Sequence, residues 1–88
     1  MNEAIIEKLR SAGVGSTPVE LADLLGSSLP GGLSEGAFVT YLHVAFPEIP
    51  IRYLMEATEW HRFRKEGGLS DAEVSTLLEP HLPWRGRD

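Results

Sequence analysis

Glycine and proline interrupt this chain so often that no regular element in it can be long. Nine glycines and six prolines are spread through 88 residues. Inside a helix each glycine costs about 1 kcal/mol and each proline about 3 kcal/mol relative to alanine. Between these breaks the apolar residues recur at helical spacing, and no β-branched run alternates with period two. The chain is therefore confined to short helices with tight connections. This predicts an all-α fold, a compact orthogonal array of about five short helices with no sheet. Helices of roughly 9 to 16 residues are mostly too short for a long up-and-down bundle. Residues 1–80 read as a single helical domain and 81–88 as a C-terminal tail.

The helix starts are written in local chemistry. A first helix is expected from Glu3 to about Ala12, with Ile5, Ile6 and Leu9 on one stripe. Thr17, Pro18 and Glu20 then match a capping box with proline in its tolerated first position. Leu21, Leu24 and Leu25 form the apolar face of this second helix, and Gly26 is its expected stop. Ser27 to Leu33 reads as the one long loop. Ser34 caps a third helix, with Leu33 and Phe38 spaced as a hydrophobic staple. Phe38, Tyr41, Leu42, Ala45 and Phe46 follow amphipathic spacing. Pro47 and Pro50 force a break. A fourth helix is expected from Pro50 to about Lys65, ended by Gly67-Gly68. Its two apolar stripes, Ile51, Leu54, Met55 and Thr58 beside Tyr53, Ala57 and Trp60, suggest a central helix with neighbours on two sides. Leu54, Met55 and Trp60 should be buried, and the exit from Arg62 to Glu66 solvated. Glu48–Arg52, Arg52–Glu56 and Glu59–Arg62 are spaced as ion pairs along it. A fifth helix starts at Ser70, boxed by Glu73, with Val74, Leu77 and Leu78 facing inward.

Composition bounds the function. Hydrophobic residues at 42% and charged residues at 24% are ordinary for a globular domain. The absence of cysteine rules out a disulfide framework and thiolate metal sites, which favours a reducing cytoplasm. Glu3 and Glu7 interrupt the early apolar stretch, so no signal peptide is expected. No apolar run reaches the roughly 20 residues of a membrane span. The net charge of −5 is uneven, with −4 in residues 1–50 and −1 in residues 51–88. An acidic first half serves solubility, repels nucleic acid and attracts a basic partner.

No catalytic or cofactor signature stands out. His43, His61 and His81 lie on three segments, without metal-ligand spacing. Glu56, Glu59 and His61 are too closely spaced on a helix to converge on one reacting atom. Ser27-Ser28-Leu29 invites comparison with acyl carrier proteins, which are also small, acidic and helical. Here Ser27 stands where that family has aspartate, and Pro30-Gly31-Gly32 follows where it starts a long helix, so the segment reads as turn formers. Residues 20–42 echo a helix-turn-helix. Its would-be recognition helix, Ser34 to Phe46, contains neither lysine nor arginine.

The sequence therefore points to a non-enzymatic protein-binding module without cofactor or metal. More narrowly, it suggests a small acidic bacterial inhibitor of the toxin-immunity type, cytoplasmic, whose partner is a protein with a basic surface. A small DNA-associated regulator with a degenerate helix-turn-helix, and a homo-oligomeric structural module using the tail, are the alternatives. The candidate partner-binding residues are Trp84, the cationic cluster Arg62, Arg64 and Lys65, and the acidic Glu20 and Asp23. Trp and Arg are the residues that most often anchor interfaces. The cluster would equally suit a helix C-terminus, where cations complement the macrodipole.

Overall fold

The computed structural model describes residues 2–13, 15–64 and 66–81. Among them are five α-helices: α1 Glu3–Gly13, α2 Pro18–Ser28, α3 Glu35–Ala45, α4 Ile51–Ala57 and α5 Asp71–Leu78. Single 3-10 turns follow at His61–Phe63 and Glu79–His81. No strand occurs among the described residues; one isolated bridge joins Trp60 to Leu69. The all-α expectation is met.

Where the sequence carried a local cap, the structure uses it. In α2, Thr17 Oγ1 accepts from the Glu20 N–H at 3.2 Å and Glu20 Oε1 accepts from the Thr17 N–H at 2.9 Å. Ser70 and Glu73 repeat the reciprocal pair at the start of α5, at 3.1 and 3.0 Å. Ser34 Oγ accepts from the Ala37 N–H at 3.2 Å to open α3. Each such cap is worth about 1 kcal/mol because it satisfies an N–H that the helix cannot pair internally.

Gly26 does not stop α2, which continues through Ser28. The hydroxyls of Ser27 and Ser28 both donate to the Leu24 carbonyl, at 2.9 and 2.8 Å. Gly26 instead leaves room for the returning chain. A Cβ at this position would lie 3.3 Å from Leu33 Cβ. The loop therefore begins at Leu29.

The larger correction concerns α4. It spans seven residues and ends at Ala57, well short of Lys65. The N–H groups of Thr58, Glu59 and Trp60 bond to carbonyls three residues back, which tightens the last turn. Thr58 Oγ1 also donates to the Met55 carbonyl at 2.6 Å. Trp60 then turns extended, with φ −56° and ψ 141°. Here the chain pairs with residue 69: the His61 N–H bonds the Leu69 carbonyl at 2.9 Å, and the Leu69 N–H bonds the Glu59 carbonyl at 2.8 Å. Gly68 permits this crossing. Its φ is +92°, and a Cβ there would fall 2.5 Å from the Glu59 carbonyl oxygen. Helix propensity differs by only tenths of a kcal/mol per residue. Complete burial of an indole contributes roughly 4–6 kcal/mol. Trp60, with no exposed surface, is the largest fully buried side chain.

The shortened α4 is not the centre of the fold. The principal packing pairs are α1 with α2, α1 with α3, α3 with α4, α4 with α5, and α5 with α2. The helices close a ring in the order α1, α3, α4, α5, α2. Helix α4 has the two neighbours its wide apolar arc called for, but no more than the others. One core cluster fills the ring, including Leu9, Leu21, Leu25, Phe38, Leu54 and Trp60. Phe38, Trp60 and Phe63 pack with tilted and edge-on rings, 5.5–6.0 Å between centroids. Ile49, in the turn between α3 and α4, is also buried. No helix of the described residues is long and apolar enough to cross a membrane.

Candidate functional site

Two surface features stand out: a charged network around the Trp60 crossing, and the uncovered face of α4.

The network forms because the crossing brings residues 60–62 against the start of α5. Asp71 Oδ1 accepts from Trp60 Nε1–H at 2.8 Å and lies 3.0 Å from His61 Nε2. Arg62 Nε stands 4.0 Å from the same oxygen. The Arg62 guanidinium covers the Trp60 ring at 4.5 Å from its centroid, and its Nη1 bonds Asp23 of α2. The Trp60 and His61 hydrogen bonds, with the Arg62 charge beside them, hold the Asp71 carboxyl below the usual aspartate range. Arg64 pairs with Glu59 at 3.2 Å and reaches Glu35 at 3.9 Å.

This geometry places four of the sequence-derived site residues. Arg62 and Asp23 are brought together, but on each other. Arg64 is paired with carboxylates of its own chain, and Glu20 serves the α2 cap. Arg62 and Arg64 do not end an α-helix, because α4 stops at Ala57; Arg62 lies in the 3-10 turn that follows and Arg64 is its C-cap. Lys65 and Trp84 lie outside the described residues. The i,i+3 and i,i+4 ion pairs expected along the fourth helix give way to these longer-range ones. Arg52 lies over the Tyr53 ring at 5.0 Å instead of bridging Glu48 and Glu56.

No group of three His, Cys, Asp or Glu side chains among the described residues is arranged to hold a metal. His61 pairs with Asp71, and His81 stacks on Tyr53 at 4.3 Å between centroids. The hydroxyls of Ser27 and Ser28 are spent within α2.

The second feature was not legible as a surface in the sequence. Leu54 and Ala57 are buried as expected, but Met55 is not. Met55 is 57% exposed and Ile51, one turn earlier, 51% exposed; they are the exposed large hydrophobics of the described chain. Both belong to the stripe expected to face inward. The reason is the ring: α3 and α5 are the principal helix neighbours of α4 among the described residues, and Leu54 and Ala57 are the residues of α4 that become buried. A groove of about 290 Å³ borders Met55 against α3, lined also by Glu35, Val39 and Thr40. On the other flank Glu56 borders a groove of about 450 Å³ against α5. The sequence showed a wide apolar arc but not which part of it would be left uncovered.

Comparison with known proteins finds no matching family model, no matching curated protein and no matching solved structure.

Proposed function

We propose that this protein is a non-enzymatic protein-binding module whose docking face is the outer ridge of α4. The observation that carries the reading is the pair Ile51 and Met55, exposed one turn apart on a helix bordered by two grooves while the other large hydrophobics among the described residues are buried or half-buried. Unbranched methionine adapts to a partner surface at little cost, which suits an interface position. Carboxylates rim both grooves, Glu35 on one side and Glu56 on the other. With a net charge of −5, the partner that fits is a protein presenting apolar side chains within a basic surface. This favours the narrower reading of a small acidic inhibitor of the toxin-immunity type, acting in a bacterial cytoplasm, where electrostatic attraction speeds capture of a basic toxin.

The test starts with a photo-reactive residue in place of Met55, used to trap the partner in cells of the source organism. A probe in place of Glu3 is the control. Affinity for the purified partner is then measured for Ile51→Asp and Met55→Asp. Each should weaken binding about tenfold or more, as loss of an interface anchor does, with little change in melting temperature. Equal trapping from both probes, or unchanged affinity, overturns the docking face. Affinity insensitive to added salt overturns the acidic-inhibitor part.

A further inference from the structure

The two grooves beside α4 differ in charge. The α3 side carries Glu35, which Arg64 approaches at 3.9 Å. The α5 side carries two carboxylates from different helices, Glu56 and Glu73, above a floor of Leu69, Ala72 and Leu77. No cation among the described residues pairs with either of them. Glu73 gives one oxygen to the Ser70 N–H at 3.0 Å but faces no lysine or arginine within ion-pair distance among the described residues. Glu56 forms no ion pair among them either. Every described arginine is committed elsewhere. Arg10 donates to the Val44 carbonyl at the end of α3, Arg52 lies over Tyr53, Arg62 bonds Asp23 and Arg64 pairs with Glu59. A groove lined by apolar side chains and by two carboxylates without a cationic partner among the described residues is complementary to an apolar side chain flanked by a cation.

We infer that the α4–α5 groove is a receptor for a cationic amphipathic segment of the partner protein. An apolar side chain lies on Leu69, Ala72 and Leu77 while a lysine or arginine bridges Glu56 and Glu73. The inference rests on the docking face proposed above and assigns its specificity to one flank. Ile51 and Met55 supply contact, and the Glu56–Glu73 pair selects for positive charge.

The probe is a synthetic helical peptide of leucine and lysine only, with leucine along one face, titrated into the isotopically labelled full chain and followed by backbone amide shifts. A second peptide carries glutamate in place of every lysine. The lysine peptide should shift the amides of Leu69, Ala72, Thr76 and Leu77, and the glutamate peptide should not. Glu56→Gln should weaken the lysine peptide about fivefold or more, as removing one partner of a charge pair does. Glu7→Gln, which alters net charge equally on α1, should leave its affinity unchanged. Shifts centred on α1, or equal weakening by both variants, would mean attraction to net charge alone and overturn the inference. Shifts confined to Val39, Thr40 and Met55 overturn it while leaving the α4 docking face standing. Absence of shifts anywhere overturns it and counts against that face as well.

Discussion

Helices α4 and α5 are nearly equal in length, at seven and eight residues, and are built on opposite principles. Helix α5 opens on a capping box: Ser70 and Glu73 satisfy each other's backbone N–H groups before any distant residue is involved. Helix α4 opens after Pro50 with no side-chain cap, and beyond its end residues 59–61 are drawn into a crossing with residue 69. One helix is bounded by chemistry three residues away and the other by chemistry about ten residues away. Locally bounded elements can be read from sequence and resist distant mutation. Elements bounded at a distance depend on the whole core.

The dependence of α4 on distant residues is greatest at Trp60. Trp60→Ala removes the residue that ends α4 and fills the core, so it should cost about 3–5 kcal/mol, enough to unfold a domain this small. Urea denaturation reads it. A loss under about 1 kcal/mol would mean that the crossing does not depend on the indole. Gly68→Ala comes next, because the added methyl meets the Glu59 carbonyl in a left-handed backbone conformation. It should cost at least about 2 kcal/mol. Gly67→Ala, also left-handed but with open space around its Cβ, is the milder control. Ser70→Ala tests the local side of the comparison and should cost about 1 kcal/mol. That loss should appear as faster amide exchange in the first turn of α5, with the Trp60 environment intact.

The smallest effect is acid dependence. The hydrogen bonds from Trp60 and His61 lower the Asp71 pKa in the folded state. The unfolded chain therefore binds this proton more readily. The stabilisation is fully present above the ordinary aspartate range, near about pH 4, and is lost as pH falls through the depressed value. Asp71→Asn keeps an oxygen acceptor for the indole but cannot titrate. The stability gap between the parent chain and this variant should narrow as pH falls from 6 to 3. A gap independent of pH would show that the Asp71 charge adds nothing to the crossing.

The division between local and distant chemistry also explains what the sequence revealed. Thr17, Ser34 and Ser70 were legible as caps because donor and acceptor lie three residues apart, and the stripe from Phe38 to Phe46 was legible because one face repeats regularly. The end of α4 was not, since nothing between Ala57 and Lys65 forbids helix. The break depends on Leu69 carrying the other half of the bridge. The charged residues fared likewise. Arg62 was legible as a surface cation, but its bond to Asp23 joins positions 39 residues apart. Gly26 looked like a stop signal because glycine ends many helices, while its actual use is room for Leu33. The exposed face of α4 was hidden most completely. Met55 and Leu54 are neighbours in an equally apolar arc, and only the number of available packing partners decides which is covered.

The closed ring of helices has a consequence for synthesis. Helix α5 is the last of the five to be made, and it bridges α4 and α2. Until it emerges, the first four helices form an open chain of contacts, and Trp60 lacks both Asp71 and the Leu69 crossing. Unclosed apolar surface of this kind is vulnerable to aggregation and to proteases. The nascent chain is thus exposed until the arrival of a single eight-residue helix.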